Sequence, residues 1–214
     1  APILRMVPGR SAEHLWLATF DGVFRFDFRR NVVTHHYTHH PNAPDSLSSN
    51  RIFSLHEDAE GILWVGTEND GVNRMLPDPD QFRHYRMIAR QPDRVTTESI
   101  TAMTGNASGT LWLVTRQGLY RFQPDSGELT LYDVPHHICP YRIETIARDP
   151  SGGLWFNVCE HLYHLEETSG SLTHYAPLGE IQTPGPPSRL RAIAFEQDRV
   201  VWLAFWRSGL VRFD

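Results

Sequence analysis

The chain has 214 residues, a formal net charge of −5 at pH 7 and two cysteines, with 40% apolar and 21% charged residues. This composition is that of an ordinary globular protein. The negative charge and the lack of a basic stripe interleaved with aromatics argue against nucleic acid as a partner. The longest apolar run, VVWLAFW, is far shorter than the roughly 20 residues of a membrane helix, so direct membrane insertion is not expected.

The first repeating unit is predicted over residues 4–37. Its second extended piece, HLWLAT, contains Trp16, and the third, GVFRFDF, alternates apolar and polar residues as a half-buried strand does. A polar loop over 38–51 follows, with two prolines and no helix period. The first unit is therefore predicted to be a small sheet without helices.

The second unit, residues 52–85, is the most regular. It consists of four extended pieces, IFSL, ILWVGT, GVNRM and QFRHY, which are rich in β-branched and aromatic residues and bounded by Gly, Asp, Asn or Pro. Four short strands joined by tight turns predict one antiparallel sheet. A second connector, RMIARQPDRVTTES, leads from this unit to the next.

Three further units repeat the pattern, at residues 100–132, 143–175 and 190–214. The turns DAEG, NASG and DPSG each begin with Asp or Asn and end with Gly, which is typical of type I turns whose last residue needs a positive φ. We therefore expect Asp58, Asn106 and Asp149 to have structural roles. The fourth unit has His161 where other units have Gly, and the fifth stops before a fourth strand.

The five units share a tryptophan, and successive tryptophans are 43 to 48 residues apart. An aliphatic residue lies twelve positions before each of them. The tryptophans are Trp16, Trp64, Trp112, Trp155 and Trp202, and the aliphatic residues are Leu4, Ile52, Ile100, Ile143 and Leu190. A period of about 40 to 50 residues with four strands per unit is typical of a β-propeller.

We therefore predict an all-β fold, a β-propeller of four-stranded antiparallel blades that forms one domain over residues 1–214. The tryptophans are expected to pack between blades. Because the fifth blade lacks its fourth strand, five blades would leave unpaired edges. The chain is expected to be part of a larger ring with further blades of the same polypeptide.

The segment 46–85, with SLSSNRI before the DAEGILWVGTENDGVNR core and FRHY after it, resembles the two-component regulator propeller repeat. The resemblance extends over essentially the whole chain and is weakest in blades four and five. The G-x-L-W-x-G-T core is quite specific among propellers. The paired Gly-His and Trp-Asp signature of WD40 repeats is missing.

That resemblance implies the periplasmic sensor region of a bacterial membrane-bound signalling protein. In this family the blades precede an immunoglobulin-like domain, a membrane helix and an output domain that is usually a histidine kinase. Several members sense oligosaccharides. The partners that the resemblance implies are therefore an oligosaccharide or other small ligand, an output domain of the same polypeptide and a second copy in a homodimer. Kinase activity is not assigned to this chain.

Candidate ligand-binding residues are predicted from the propeller geometry, in which the loops entering the first strands share one face with the loops joining strands two and three. A pocket is expected on such a face. The candidates are Arg51, Arg142, Arg189, Arg191, Glu68, Asp70, Arg116, Glu160, His161, Trp206 and Arg207. The arginines would offer forked donors to a carboxylate- or sulfate-bearing ligand, with Trp206 as a stacking platform. Alternatively, the arginines pair with neighbouring acids and cap the blades.

The two cysteines, Cys139 and Cys159, are predicted to lie in loops on the same face of blade four. In an oxidising compartment they could form a disulfide if their Cα atoms come within about 7 Å. The run HHYTHH at 35–40 has metal-like spacing but no nearby Cys or carboxylate to complete a closed site of about four ligands. No metal or cofactor is therefore predicted.

Catalytic motifs of the G-x-S-x-G, H-E-x-x-H, P-loop and dinucleotide-binding types are missing from the sequence. We therefore predict a ligand-sensing segment that is not an enzyme. Two alternatives remain open. One is a propeller lyase or hydrolase that uses Glu160 and His161, by fold analogy. The other is a non-catalytic scaffold for protein contacts, which would present a large apolar patch.

Overall fold

The computed structural model describes residues 1–10, 13–76, 81–86, 88–91, 94–97, 99–134, 143–159, 161–178, 189–196 and 200–213. Within these ranges the regular elements are twenty-one β-strands and no α-helix. Accordingly, no described segment is a helix long and apolar enough to span a bilayer. The predicted all-β class is confirmed.

The first two repeats each form a four-stranded antiparallel sheet in chain order. The first sheet contains β1 (Ile3–Pro8), β2 (His14–Thr19), β3 (Gly22–Asp27) and β4 (Val32–Tyr37). The second contains β5 (Ile52–Glu57), β6 (Leu63–Thr67), β7 (Val72–Met75) and β8 (Phe82–Tyr85). Each sheet has the meander order expected of a propeller blade.

The connector after the second sheet contains a hairpin that the sequence analysis did not predict. Its strands, β9 (Ile88–Gln91) and β10 (Arg94–Thr97), pair with each other and form a separate two-stranded sheet. The β-branched run Val95 to Thr97 favours an extended backbone. Because this segment lies outside the 43-to-48-residue pattern, its strand character was not apparent from the repeat.

The third and fourth repeats are again four-stranded sheets in chain order, and the fifth has three strands. The third contains β11 (Ala102–Gly105), β12 (Leu111–Val114), β13 (Leu119–Gln123) and β14 (Glu128–Tyr132). The fourth contains β15 (Ile146–Arg148), β16 (Leu154–Val158), β17 (His161–Glu166) and β18 (Ser171–Pro177). The fifth contains β19 (Leu190–Glu196), β20 (Val200–Phe205) and β21 (Gly209–Phe213).

The chain divides into two compact units. The first comprises residues 1–115 and 121–130, and the second comprises residues 116–120 and 131–214. The first two sheets lie in the first unit, the fourth and fifth lie in the second, and residues of the third sheet belong to both. The prediction of a single domain over 1–214 stays a prediction.

Each unit has an apolar core formed where one blade packs on the next. In the first unit, Trp16, Val23 and Tyr37 of blade one pack with Ile52 and Phe82 of blade two. The Tyr37 and Phe82 rings meet edge to face at 5.6 Å between centroids. In the second unit the corresponding core contains the buried residues Trp155, Leu162, Leu190, Ile193, Val201, Leu203 and Phe205.

Four of the five recurring tryptophans are buried, and two of them, Trp16 and Trp155, belong to the two cores just described. Trp16, Trp64 and Trp112 are each 3% exposed and Trp155 is 8% exposed, whereas Trp202 in the last sheet is half-buried. A large aromatic at one position of each repeat therefore supplies much of the apolar area that blade packing buries.

The first turns position these indoles. Asp58 accepts hydrogen bonds from the backbone N–H groups of Glu60 and Ile62, and its second oxygen accepts one from Trp64 Nε1 at 2.9 Å. Asp149 does the same for Gly153 and for Trp155 Nε1 at 3.0 Å. Turn-ending Gly61, Gly109 and Gly152 have φ between 79° and 96°. The predicted structural roles of Asp58, Asn106 and Asp149 are thus confirmed.

In two blades the first strand begins after the buried aliphatic residue that was predicted to start it. Ile100 precedes β11, and its backbone groups bond to blade two, since its N–H donates to Thr67 O and its carbonyl accepts from Ser54 Oγ. Ile143 precedes β15, where the next two N–H groups donate to Asn157 Oδ1 at 3.1 Å. In both cases hydrogen bonds outside the strand ladder replace strand pairing.

Candidate functional site

In the first unit, the candidates Arg51 and Glu68 form an ion pair. Arg51 Nε contacts Glu68 Oε2, and Arg51 Nη2 donates to Glu68 Oε1 at 3.2 Å. The Arg51 guanidinium also lies 4.5 Å from the centroid of the Phe20 ring. The pair is partly exposed, with relative side-chain exposures of 50% and 22%. Arg51 is therefore held by an acid on one side and an aromatic ring on the other.

The loop after β6 places Glu68 and Asp70. Thr67 is buried, donates its hydroxyl to Gly71 O at 3.0 Å and accepts from Asp70 N at 3.0 Å. Glu68 N donates to Arg51 O at 3.0 Å, which joins this loop to the residue before β5. The Gly-Thr of the repeat thus closes the loop so that Glu68 and the entering arginine are adjacent.

In the second unit, candidates surround Trp206, whose side chain is 55% exposed. Arg191 Cζ lies 5.3 Å from the centroid of the Trp206 ring. The backbone N–H of Trp206 donates to Arg189 O at 2.8 Å, and Arg189 Nε lies 3.5 Å from Glu144 Oε1. Arg189, Arg191 and Trp206 are therefore brought together, as predicted.

Arg207 follows Trp206 in the loop between β20 and β21. It is exposed and has φ 71°, an uncommon conformation for a non-glycine residue. Gly209, two residues later, has φ 82°. This loop holds the Trp206 indole at the surface beside three arginine positions. We name Arg189, Arg191, Trp206 and Arg207 the Trp206 cluster.

The remaining candidates are not brought together by described contacts. Arg116 is exposed after β12. His161 lies at the start of β17, where its Nδ1 is 2.9 Å from His174 Nε2. Arg142, Glu160 and Cys139 lie outside the described residues. Cys159 has φ 55° and its carbonyl accepts from Asn157 Nδ2 at 3.0 Å, and the Cys139–Cys159 disulfide stays a prediction.

The histidine run at 35–40 is divided among separate partners. His36 Nε2 lies 2.6 Å from Asp21 O and its ring stacks on Phe24, His39 Nδ1 lies 2.6 Å from Leu47 O, and His40 Nε2 lies 3.0 Å from Thr38 Oγ1. Among the described residues, no group of three or more His, Cys, Asp or Glu side chains could hold a metal ion.

Two contact residues were missed by the sequence analysis. Phe20 packs against Arg51, and Glu144 pairs with Arg189. Phe20 lies four residues after the recurring Trp16, and Trp206 lies four residues after the recurring Trp202. Because the two residues share a repeat position, the contact of Phe20 with an arginine could have been predicted from the sequence. Glu144 lies two residues after Arg142. The repeat contains no signal at this position that predicts an acid partner for an arginine of the next blade.

Residues 46–69 match the family model described as "Two component regulator propeller". This chain contains a two component regulator propeller repeat. The predicted family is confirmed at those residues, which include the Arg51–Glu68 pair and the Asp58 turn. No protein with a curated description matches the sequence.

Several solved structures have the same fold as this chain. The extracellular domain of a B. thetaiotaomicron protein assigned as a hybrid two component system has a TM-score of 0.72 at 20% identity, over 99% of this chain and 27% of that one. The extracellular domain of a B. thetaiotaomicron protein assigned as a one component system has a TM-score of 0.71 at 20% identity, over 97% of this chain and 26% of that one.

An enzyme has a related structure. Catalytically inactive virginiamycin B lyase from Staphylococcus aureus, with quinupristin, has a TM-score of 0.66 at 18% identity, over 98% of this chain and 66% of that one. At these identities the similarity establishes the β-propeller fold. This chain spans about a quarter of the length of the two B. thetaiotaomicron chains.

Proposed function

We propose that this chain is part of the extracytoplasmic sensing propeller of a bacterial membrane-bound signalling protein. The observation that carries the proposal is the two component regulator propeller repeat at residues 46–69. Extracellular domains of one and two component systems share the fold, which supports the same assignment. Ligand binding to the periplasmic blades would then control an output domain of the same polypeptide, such as a histidine kinase.

We further propose that the Trp206 cluster binds an acidic oligosaccharide. Its exposed indole offers a flat surface for a sugar ring, and the neighbouring arginines offer forked donors that match a carboxylate or sulfate. Arg189 is 59% exposed and its distance of 3.5 Å to Glu144 exceeds that of a short charge-assisted hydrogen bond, so a ligand can compete for it.

The test is calorimetric titration of the chain with sulfated and uronic-acid oligosaccharides and their neutral counterparts. We expect the acidic ligands to bind, and we expect Trp206→Ala and Arg189→Ala each to weaken binding about tenfold, because each removes a contact of roughly 1.5 kcal/mol. The matched control is Arg29→Ala, since Arg29 is also exposed and ion-paired, with Glu13 at 3.1 Å. Binding that is the same in all three variants would contradict the assignment of the cluster.

A lyase is the second candidate, favoured by the likeness to virginiamycin B lyase. In this alternative His161, paired with His174 at 2.9 Å, would act with Glu160 on a ligand bound at blade four. Cleavage of the oligosaccharides used in the titration, followed by product chromatography, decides between the candidates. Turnover that disappears in His161→Ala would support the lyase, and intact ligand would support the sensor.

A further inference from the structure

The first unit contains a cleft that the proposed function does not use. It has a volume of about 160 Å³ and lies between the first turns of blades two and three and the turn after β13. Its walls include Glu60, Asn106 and Asp125, and Trp64 and Arg74 also line it. At about 30 Å³ per water, this space equals about five waters, which suits a ligand of a few heavy atoms.

Arg74 lines this cleft and forms no ion pair with a described acid. Its guanidinium lies 5.4 Å from the centroid of the Trp64 ring, and its buried Nε has no hydrogen-bond partner among the described residues. A buried donor without a partner costs free energy. The side chains at the same repeat position have polar partners in two other blades, since Arg25 Nη2 lies 3.5 Å from His14 Nδ1 in blade one and His164 Nε2 lies 2.9 Å from Asp149 Oδ2 in blade four.

Asp58 does not serve as that partner. Both of its carboxylate oxygens already accept hydrogen bonds from the turn and from Trp64 Nε1. In the next blade the corresponding position is Asn106, whose Oδ1 is likewise engaged by Ser108 and Thr110. Neither side chain therefore accepts a hydrogen bond from Arg74, which lines the cleft beside them.

The rim of the cleft carries the opposite charge. The exposed carboxylates of Glu60 and Asp125 line it, and neither forms an ion pair within the described part of the chain. With Asp58, the described residues of the lining include three acids and one base, so a simple anion would be repelled by the rim. A ligand with both a carboxylate and an ammonium group would match the base and the free acids together.

We propose that this cleft binds a small zwitterion, a free α-amino acid, with its carboxylate on Arg74 and its ammonium between Glu60 and Asp125. This site is separate from the Trp206 cluster, and its test is independent of the oligosaccharide proposal. The small volume selects amino acids with short side chains.

The experiment is NMR titration of the chain with l-alanine, observed on the ligand by saturation transfer and on the protein by the Arg74 Nε–H resonance. We expect l-alanine to bind and to shift that resonance, and acetate and methylammonium to bind more weakly. Arg74→Gln and the double variant Glu60→Gln with Asp125→Asn should each weaken binding about tenfold or more.

The controls are Arg83→Gln and Glu128→Gln. Arg83 also lies over an aromatic ring, Tyr85 at 5.3 Å, and Glu128 is an exposed acid of the same β13–β14 hairpin, but neither lines the cleft. Both controls should bind l-alanine as the unaltered chain does. Absence of a signal from l-alanine, unchanged binding in the double variant, or acetate binding as tightly as l-alanine would each overturn the proposal. Because Glu60 and Asp125 are exposed, the double variant provides a test even if Arg74→Gln unfolds.

Discussion

The indole N–H groups of the recurring tryptophans form hydrogen bonds that hold these side chains in place within the blades. Trp64, Trp155 and Trp202 each donate to an acid six residues earlier, namely Asp58, Asp149 and Glu196. Trp16 has Arg10 at that spacing and donates instead to Glu57 of the next blade. The sequence predicted the turn role of these aspartates, but not their bond to the indole, because the turn brings the two side chains together only once it has formed.

The Asp149 carboxylate accepts four hydrogen bonds, so its removal should lower the stability of the fold. Its oxygens accept from Ser151 Oγ, Gly153 N, Trp155 Nε1 and His164 Nε2. We expect Asp149→Ala to lower the free energy of unfolding by about 1–3 kcal/mol, since buried donors lose their acceptor. Urea denaturation measures this change, and the exposed-acid control Glu128→Ala should be nearly neutral. Equal stability of the two variants would contradict the role of Asp149.

The same carboxylate predicts a pH dependence. Burial acts to raise the pKa of Asp149, but its hydrogen bonds outweigh burial and hold the pKa below the ordinary 3.8. A lowered acid pKa stabilises the fold above the unfolded-state pKa, and this contribution is lost as pH falls through the folded-state value. The stability difference between the unaltered chain and Asp149→Asn should therefore shrink below about pH 4. A stability difference that stays constant with pH would contradict the lowered pKa of Asp149.

His14 is a base whose pKa also makes the stability of the fold depend on pH. Burial first, and then the charge of Arg25, lower its pKa below 6.5 despite the nearby Glu57. A base whose pKa is lowered stays neutral in the fold while the unfolded chain takes up the proton, so stability falls as pH drops below about 6.5.

We expect the unaltered chain to lose more stability than His14→Gln between about pH 7.5 and about pH 5.5, by at most ~1.4 kcal/mol per pH unit. Urea denaturation at several pH values gives this slope. The other histidines contribute equally to both proteins and cancel in the comparison. Identical slopes for the two proteins would show that His14 does not titrate differently on folding.

The sheets and their turns were predicted more completely than the contacts between them. Four-strand order, the first turns and the three-strand last sheet all follow from short β-rich pieces between Gly, Asp and Asn. The hairpin β9–β10 was missed because it belongs to a connector outside the repeat. Late starts of β11 and β15 were also missed, because they depend on hydrogen bonds to Thr67 and Asn157 that sequence spacing does not specify.

Gly66 in β6 is closely surrounded by side chains of blades two and three. An added Cβ would lie 2.2 Å from Ser54 Oγ, 2.7 Å from Met103 Cε and 2.9 Å from Ile100 Cβ. We expect Gly66→Ala to destabilise the chain by about 1–3 kcal/mol through overpacking, measured by thermal unfolding.

Gly109→Ala is the comparison for Gly66→Ala, because Gly109 has φ 79° and open space around it. It should cost only about 1 kcal/mol of backbone strain. A Gly66→Ala protein as stable as the unaltered chain would show that the blades separate easily at this point.

For the chain as a whole, the repeat predicts the fold well, and the ligand-binding residues stay a prediction. The period of the tryptophans is sufficient to predict the propeller, and the structure places Arg189, Arg191 and Trp206 near one another. Arg51 and Arg189 each have an acid partner, Glu68 and Glu144, so the proposed ligand would compete with an ion pair that sequence spacing did not predict.

The central claim is that this propeller region senses an acidic oligosaccharide and controls the rest of its polypeptide. The most direct measurement is expression of the genes controlled by the intact protein, in its own bacterium, with and without the oligosaccharide that binds in calorimetry. We predict induction that Trp206→Ala and Arg189→Ala abolish and Arg29→Ala preserves. Equal induction in all of these strains would contradict the account.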